Sequence, residues 1–547
     1  MSITANHFPG RLARPRIGSV TLSVIVAVYL IATANATFWA KTAILLNDQT
    51  VAFVYLAFGL TCAFIALCVS VSVKYLIKPF FIALILLSAS ASWFMDNYGT
   101  IVDVEMLQSA VSTTNAEAGH LVTSAYVWHM LAFGVVPAAL IVWARVDHRT
   151  YLQKLKWNMA VIAPALLFFA IAALSHASTY MSLGREHRDW FATLNPISPI
   201  VNVVKLAIRT SRDHNIVVQP LGLDAHVVAA AAPAGKPRVT VIIAGETARA
   251  ESFSLGGYGP VTNPELAKQD IVYFPQTSSC GTITEVSLPC MFSVYTRKQY
   301  THQKGLETEN LLDVLGHAGI RTEWWDNNTG DKSIANRTAY QPLYKSANPK
   351  YCNDGECLDS ILLDQLDSWL DNVKTDSVLV IHQLGSHGPA YYLRYPEEYR
   401  RFMPDCRTSE FAKCTRQEII NAYDNSILYT DHIVSTVIDR LKARESRLSP
   451  SMIYMSDHGE STGEYGLYLH GAPYFMAPTQ QTHVPFVLWL GQDANAEIDG
   501  KCLAAEALKP HSHDNLFHTV LGMMHVETKV HDAALDTLAP CRRGQLS

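Results

Sequence analysis

Five long apolar stretches without charged residues occupy the first part of the chain. Each is long enough to cross the roughly 30 Å hydrocarbon core of a bilayer as a helix. The pattern therefore predicts five transmembrane helices, at about residues 17–40, 50–73, 79–95, 121–144 and 157–175.

The first stretch could instead be a cleavable signal peptide. However, no short apolar core with a clear small-residue cleavage site stands out there, and four more apolar stretches follow. Basic residues lie before the first stretch, between the second and third, and between the fourth and fifth. By the positive-inside rule the N-terminus is cytoplasmic, and five crossings export everything after about residue 176. These basic residues are Arg11, Arg14, Arg16, Lys74, Lys78, Arg145, Arg149, Lys154 and Lys156.

Length and composition agree with a membrane part and a separate soluble part. The 547 residues exceed the size at which one hydrophobic core stops growing, and the mean hydropathy of +0.10 is high for a soluble protein. We expect a transmembrane domain over residues 1–176, a linker over 177–236 and an exported domain over 237–547.

Cysteine usage independently indicates export. Two cysteines, Cys62 and Cys68, fall in the second apolar stretch, and the other eight lie in the exported half. An even number there predicts four disulfides, and zinc binding by close pairs is the less favoured alternative because the spacings are not those of C-x-x-C knuckles. Proximity along the chain suggests the pairs Cys280–Cys290, Cys352–Cys357, Cys406–Cys414 and Cys502–Cys541, although sequence alone leaves the connectivity open.

The linker contains one segment with an amphipathic pattern. After the turn at 195–199, apolar residues from Ile200 to Ile208 alternate with Lys205 and Arg209. This pattern predicts a short helix, either at the membrane surface or packed on the soluble domain. The alanine-rich stretch from Ala225 to Gly235 is typical of a flexible connection.

From Arg238 onward, short strand-like runs alternate with helical stretches, which predicts an α/β sheet. In such sheets the loops at the carboxyl ends of the strands form the site. Polar residues follow four of the runs, and His470 lies shortly after the last of them. We therefore expect a metal site in which the donors are Glu and Asp oxygens, His nitrogen and a hydroxyl, and for which zinc fits best. The polar residues are Glu246; Asp326, Asn327 and Lys332; His387; and Asp457 and His458.

The predicted nucleophile lies between Cys280 and Cys290, where hydroxyl side chains are concentrated. Thr282 and Glu285 match a capping box, which would place Thr284 in the first turn of a helix that Pro289 keeps short. Spacing alone does not choose among the hydroxyls. The candidates are Thr277, Ser278, Ser279, Thr282, Thr284 and Ser287.

Taken together, the motifs of the exported half resemble those of the lipid A phosphoethanolamine transferases, a membrane family of the alkaline phosphatase and sulfatase superfamily that includes polymyxin-resistance transferases. The resemblance covers essentially the whole chain. It implies a five-helix transmembrane domain followed by an α/β sulfatase-like domain with a central mixed sheet. The motifs are Gly245 to Glu251, Cys280 to Thr284, Pro289 to Phe292, Ser386 to Pro389, Ser456 to Glu460 and Leu469 to Gly471.

The resemblance also implies roles for individual residues. Thr284 would be the nucleophile and would bind Zn²⁺ together with Glu246, Asp457 and His458. His387, His470 and Lys332 would bind the substrate phosphate or a second zinc, although Lys332 read by itself could equally be a solvated loop lysine. Ser109, Thr113 and Glu117, four residues apart, would share one helix face and contact the donor. Relatives often have asparagine in place of Ser109, and some carry a further cysteine pair near residues 328–337 that is absent here.

The implied reaction is a two-step transfer in the bacterial inner membrane, with the catalytic domain in the periplasm. Phosphatidylethanolamine would donate phosphoethanolamine to Thr284, and a lipid A phosphate of the lipopolysaccharide would receive it, lowering negative charge and polymyxin sensitivity. The enzyme would be a monomer among membrane lipids and would need no nucleic acid. The alternatives are a phosphoglycerol transferase of the same superfamily, a ligand-binding sensor with a structural metal, and a sulfatase-type hydrolase, which would have little need for five spans.

Overall fold

The computed structural model describes residues 14–187, 189–213, 216–228 and 235–543. Arg11 and most of the alanine-rich stretch lie outside the described residues. The chain forms two compact units, one made of residues 1–103 and 124–202 and the other of residues 104–123 and 203–547. The second unit therefore includes a segment that lies, in sequence, between two of the apolar stretches.

The first unit is helical and strongly apolar. Within the described residues, four helices are long and apolar enough to cross a membrane, namely Thr50–Ser70, Ile77–Tyr98, Ser124–Trp143 and Tyr151–Ser175. The number rises to five if the bent pair Ser19–Thr33 and Ala36–Leu45 forms one span. The structure thus supports four to five apolar helices, and the predicted count of five depends on that pair. The short helices Ala177–Glu186 and Phe191–Thr193 and a parallel pairing of Arg16–Gly18 with Arg145–Asp147 complete the unit.

The bend of 63° in the first pair has a local cause at Asn35. The Asn35 side chain donates hydrogen bonds to Leu30 O and Asn195 O and accepts one from Asn195 N. A carbonyl freed where a helix breaks needs such a partner when it is buried. The polar pair Asn35 and Asn195 therefore satisfies the backbone at the bend inside an otherwise apolar unit.

The helix from Ser124 to Trp143 also departs from regular α-helical geometry. Its middle part, Met130–Val135, is a π-helical turn that precedes Pro137. Proline cannot donate a backbone hydrogen bond, and π turns commonly absorb such interruptions.

The second unit is built on an eight-stranded mixed sheet, as the α/β prediction anticipated. In chain order the strands are β1 (Arg238–Gly245), β2 (Ile271–Ser278), β3 (Arg321–Asp326), β4 (Ala339–Pro342), β5 (Ser377–His382), β6 (Ser449–Ser456), β7 (His483–Leu490) and β8 (His511–Ser512). Their spatial order is β8-β2-β7-β6-β1-β5-β3-β4. The five strands from β6 to β4 run parallel, and β7 is antiparallel to β6 and β2.

Every residue of β1, β5 and β6 is buried, because helices cover both faces of the sheet centre. The longest helix, Arg416–Lys442, begins with a capping box formed by Thr415 and Glu418. Shorter helices surround the sheet; they are Thr284–Met291, His302–Glu307, Leu311–His317, Ile361–Asp364, Leu366–Asp371, Thr479–Thr482, Gln492–Ala496, Gly500–Glu506 and Asp514–Met523.

The eight cysteines of this unit form four disulfides with the pairing suggested by proximity: Cys280–Cys290, Cys352–Cys357, Cys406–Cys414 and Cys502–Cys541. Cys62 and Cys68 are free and buried within the helix Thr50–Ser70.

The predicted amphipathic helix is present and longer than expected, from Ile197 to Asp213. Val201, Val204 and Ile208 recur along it at helical spacing and are about half exposed, at 45%, 53% and 50%. Apolar side chains left exposed in this pattern are typical of helices that lie in a membrane interface. That location stays a prediction.

Candidate active site

Three buried side chains converge at the carboxyl ends of the two central strands. Glu246 follows β1, and Asp457 and His458 follow β6, whose Ser456 pairs with Gly245. One possible ligand atom from each of the three lies within 4.8 Å of the others. The strand register therefore brings two carboxylates and an imidazole to one point.

Asp457 shows that this cluster suits a cation. Its Oδ1 accepts hydrogen bonds from the backbone of Thr247 at 3.1 Å and of His458 at 2.7 Å. Its Oδ2 is buried and has no hydrogen-bond partner among the described residues. Burial raises the pKa of Asp457 well above its usual range, and the nearby Glu246 carboxylate raises it further. A bound dication would give the orphaned oxygen a partner and offset the repulsion between the two carboxylates.

His458 is set up as a neutral nitrogen ligand. Burial, together with the neighbouring His470, lowers the pKa of His458 to about 3. Its Nδ1 lies 3.0 Å from Gly459 O, so a hydrogen on Nδ1 leaves the lone pair of Nε2 for the cluster. Nε2 lies 3.4 Å from Glu246 Oε1 and 3.3 Å from Asp457 Oδ2. The donor set of Glu, Asp, His and hydroxyl fits zinc.

Thr284 brings its hydroxyl to the same cluster. It is the first residue of the helix Thr284–Met291. Its Oγ1 lies 3.1 Å from Glu246 Oε2 and 3.3 Å from His458 Nε2. Of the six hydroxyl residues between 277 and 287, Thr284 alone has contacts with these two side chains among the described residues. The others bind backbone oxygens, as Thr282 does with Ala472 O at 2.7 Å and Ser287 with Asp457 O.

The predicted capping box at Thr282 and Glu285 is wrong. The residue that precedes the helix is Ile283, and no side chain caps it. The hydroxyl of Thr282 is bound to Ala472, and the carboxylate of Glu285 turns away to Lys332 and Ser112. Both side chains that a capping box would have used are therefore bound to residues distant in sequence.

Sequence reasoning missed the residues that hold Glu246 in place. Asn328 donates a hydrogen bond from Nδ2 to Glu246 Oε2 at 2.7 Å, and its own backbone NH binds Asp326 at 2.8 Å. His382, at the end of β5, lies 3.1 Å from the same aspartate. The sequence pattern marks Asp326 as a strand-end residue, but neither its partner His382 nor Asn328 can be identified without knowing that β3 and β5 are neighbours.

His387 and His470 lie beside the cluster. The ring of His470 is 4.4 Å from that of His458 and 5.4 Å from that of His387, measured between centroids. Burial lowers the pKa of His470, but the Glu460 carboxylate at 2.8 Å outweighs this effect and raises it to about 9. A protonated His470 would bind an anion such as phosphate rather than a metal.

Lys332 contacts the residue that follows Thr284. Its Nζ lies 2.6 Å from Glu285 Oε1 and also donates to Thr329 O and Thr329 Oγ1. The side chain of Lys332 is only 10% exposed, so it is not a solvated loop lysine.

The segment of residues 104–123 forms two short helices, Val104–Ser112 and Asn115–Leu121, instead of one. Thr114 caps the second, so the prediction that Ser109, Thr113 and Glu117 share one helix face is wrong. Thr113 donates to Ser109 O, whereas Glu117 lies 3.5 Å from His387 Nε2. Ser109 accepts hydrogen bonds through its backbone oxygen, and the unpredicted Ser112 contacts Glu285.

Comparison with known proteins gives two family matches. Residues 238–526 match the sulfatase family, and residues 60–210 match the family described as phosphoethanolamine transferase EptA/EptB. The chain is 36% identical to phosphoethanolamine transferase EptA of Salmonella typhimurium over 97% of this chain and 98% of that protein. It is 37% identical to phosphatidylethanolamine transferase Mcr-1 of Escherichia coli over 87% of this chain and 90% of that protein.

A solved structure extends the similarity to both units. The integral membrane protein lipooligosaccharide phosphoethanolamine transferase A of Neisseria meningitidis matches with a TM-score of 0.93 and 34% identity, covering 97% of this chain and 100% of that one. Family, fold and length thus agree over nearly all of the sequence. The chain belongs to the membrane phosphoethanolamine transferase family of EptA and Mcr-1, whose catalytic domain is sulfatase-like.

Proposed function

We propose that this protein transfers phosphoethanolamine from phosphatidylethanolamine to a phosphate group of lipid A by way of Thr284. The observation that carries the proposal is the contact of Thr284 Oγ1 with Glu246 and His458 inside a buried cluster suited to a cation. The names of the relatives support the transferred group and the donor. The apolar helices on the same chain tether the catalytic unit to a membrane, where both lipids reside.

Glu246, Asp457, His458 and Thr284 would hold one zinc ion, which when bound lowers the pKa of the Thr284 hydroxyl. In the first step the Thr284 oxygen forms a bond to the donor phosphorus, and the bond from phosphorus to the diacylglycerol oxygen breaks. The proton lost by Thr284 ends on diacylglycerol. In the second step an oxygen of a lipid A phosphate attacks the same phosphorus and releases Thr284.

The remaining predicted residues would bind the substrate. His387 and His470 lie close enough to His458 for their ring nitrogens to contact phosphate oxygens. Lys332 would contribute a point charge to the phosphate, which stabilises negative charge that develops during transfer. Thr113 and Glu117 would contact the donor on the side of His387, which Glu117 already touches.

The proposed orientation places the catalytic unit in the periplasm and the N-terminus in the cytoplasm. Basic residues at the loops that would be cytoplasmic support it, as do the four disulfides of the catalytic unit, which persist in an oxidising compartment. We propose that the membrane is the bacterial inner membrane and that the protein works as a monomer.

Mass spectrometry of lipid A tests the function directly. Cells expressing the wild type should carry a phosphoethanolamine addition, and cells expressing Thr284→Ala should lack it. Thr282→Ala is the matched control, because it removes a hydroxyl from the same loop that binds only Ala472 O. An addition made by Thr284→Ala would exclude Thr284 as the nucleophile, and no addition by the wild type would exclude this donor and acceptor.

The addition should also change the cell surface. It neutralises part of the negative charge of lipid A, so wild-type cells should bind polymyxin less and need a higher polymyxin concentration for killing. Unchanged sensitivity in cells with confirmed modification would contradict that consequence.

A further inference from the structure

Glu285 has a largely covered carboxylate side chain that the proposed transfer does not use. It directly follows Thr284, and its side chain is 8% exposed. It lines a cavity of about 320 Å³ together with Gln108, Ser112 and Lys332. A negative charge next to a site for phosphate would oppose phosphate binding unless it had a positive partner there.

The partner of Glu285 in this structure is Lys332, at 2.6 Å from Oε1. Ser112 donates a second hydrogen bond to the same oxygen. Among the described residues no hydrogen bond reaches Oε2, so one acceptor atom of Glu285 remains available at the cavity.

Lys332 has no spare hydrogen for a phosphate in this arrangement. Its three ammonium hydrogens are matched by three acceptors, Glu285 Oε1, Thr329 O and Thr329 Oγ1. Lys332 and Ser333 also both have positive φ, 48° and 70°, a backbone conformation that costs energy for residues other than glycine. Lys332 thus contacts Glu285 from a loop whose backbone is locally strained.

We propose that Glu285 binds the primary ammonium group of the donor, which replaces Lys332 as the ion-pair partner of Glu285. This assignment rests on the proposed function. When the zwitterionic head group enters, Lys332 turns from Glu285 to the phosphate, and the ammonium replaces Lys332 on the Glu285 carboxylate. Glu285 is thus a residue that selects ethanolamine over a neutral head group.

The exchange avoids the cost of separating a buried ion pair. Removing one partner of such a pair leaves an uncompensated charge, which is strongly unfavourable. A head group with one negative and one positive charge supplies a new partner to both residues at once, and the net charge of the cavity does not change. A neutral glycerol head group would satisfy Lys332 but leave Glu285 without a cation.

Glu117 is a rival for the ammonium, since its carboxylate also lies near the predicted phosphate site. Its Oε1 lies 3.5 Å from His387 Nε2. Phosphate binding would not remove His387 from Glu117, whereas it would draw Lys332 away from Glu285 and leave that carboxylate without a cation.

The experiment compares two donors with the purified full-length protein in lipid vesicles. Diacylglycerol release from phosphatidylethanolamine and from phosphatidylglycerol gives a value of kcat/KM for each. The wild type should prefer phosphatidylethanolamine, and Glu285→Gln should lower that preference about tenfold or more, as expected for the loss of a hydrogen bond to a charged group. Glu285→Asp should keep the preference in the same direction. Glu309→Gln, which removes another carboxylate from the cavity wall, should leave it unchanged.

Each other result has a defined meaning. Equal losses with both donors in Glu285→Gln would reduce Glu285 to a structural role and overturn the proposal. A lost preference in Glu117→Gln but not in Glu285→Gln would assign the ammonium to Glu117. If Glu285→Gln does not fold, Ser112→Ala keeps both charges and should lower the preference by a smaller factor; an unchanged preference there would count against Glu285. No release from phosphatidylethanolamine by the wild type would overturn the proposed function itself.

Discussion

At the scale of single residues, Asp457 offers the most direct test of the metal centre, because its Oδ2 is buried without a hydrogen-bond partner. Asp457→Asn should bind markedly less zinc, since an amide is a weaker ligand than a carboxylate. Elemental analysis of the purified protein measures the metal content. A chelator should lower the Tm of the wild type but not that of the variant, because a metal bound only by the folded state stabilises it. A variant with the metal content of the wild type would contradict the assignment.

Asp424 predicts a pH dependence of stability. Burial raises the pKa of Asp424 to about 6, and the hydrogen bond from Tyr258 at 2.8 Å only partly opposes that effect. The folded state therefore holds this proton more tightly than the unfolded state does. This proton stabilises the folded state fully below pH 4. As the pH rises through about 6 the stabilisation is lost, and the free energy of unfolding falls by on the order of 2–3 kcal/mol.

Asp424→Asn isolates this effect, because the amide cannot ionise and its oxygen can still accept from Tyr258. The Tm of the variant, relative to that of the wild type, should rise between pH 4 and pH 8. A difference that stays constant over this range would contradict the raised pKa. The same variant serves as a buried-carboxylate control for Asp457→Asn, and its metal content should be that of the wild type.

The convergence of the strand-end side chains could be predicted from sequence. Glu246, Asp457 and His458 lie within two residues of the ends of strand-like runs, and the structure brings them together. Asn328 and Glu285 could not be, because their partners lie 82 and 47 residues away and nothing in local spacing indicates those contacts.

At the scale of elements, the loop after β5 passes unusually close to Glu246, a proposed metal ligand. Gly385 has φ of +55°, and a Cβ at this position would lie 2.5 Å from Glu246 O. The loop is held on both sides, since Gly385 N donates to Asp359 and Ser386 N donates to Glu246 O. We expect Gly385→Ala to displace Glu246 and to lower both zinc content and turnover at least tenfold.

Gly319→Ala is the matched control. Gly319 also has positive φ, +77°, but nothing lies within 4 Å of its added Cβ. This variant should lose about 1–2 kcal/mol of stability from backbone strain alone and keep full activity. If Gly385→Ala behaves like Gly319→Ala, the close approach to Glu246 has no functional importance.

Elements were predictable where their pattern is simple. The runs that form β1, β5 and β6 are fully buried, and the sequence pattern predicts them at residues 239–244, 377–382 and 451–456, within two residues of the observed bounds. Strand β2 was not predicted, because Pro275 interrupts it and its residues are mostly half-buried. The structure accommodates it by a register shift in its pairing with β7 between Val484 and Phe486.

At the scale of the whole molecule, the four disulfides differ in the length of chain that they close. Cys502 and Cys541 are 39 residues apart, whereas Cys352 and Cys357 are 5 apart. If a disulfide stabilises mainly by restricting the unfolded chain, the bridges Cys502–Cys541 and Cys352–Cys357 contribute about 4 and about 2 kcal/mol, respectively, to the free energy of unfolding. The double variant C502S/C541S should therefore lower the free energy of unfolding more than C352S/C357S does.

The comparison is well matched, because each pair has one buried and one half-buried cysteine, so the substitution itself costs a similar amount in both. Denaturant unfolding of the full chain in detergent measures the two losses. Equal losses, or a larger loss for the short bridge, would show that local strain or packing outweighs the entropy of the unfolded chain.

The positions of the apolar helices were predictable because hydrophobic length acts over long segments. The apolar helices begin and end within a few residues of the predicted stretches, apart from the break at Asn35 and an earlier start of the last helix at Tyr151. Membership of residues 104–123 in the catalytic unit was not predictable. It depends on contacts such as His120 with Glu356 and Ser112 with Glu285, which join residues far apart in sequence.

The hydrogen bonds that continue past the strand ends have a consequence for the motion of the site. Beyond the last strand residues, Asp457 N still donates to Gly245 O, Gln383 N to Ala244 O and Ser386 N to Glu246 O. These amides belong to loops beside the candidate active site, yet they are tied to the centre of the sheet. Their hydrogens should exchange with solvent as slowly as those of β1 and β6, on the timescale of global unfolding. Substrate entry would then rely on movement of side chains and of the loop that carries Lys332, while the backbone that holds the proposed metal ligands stays still.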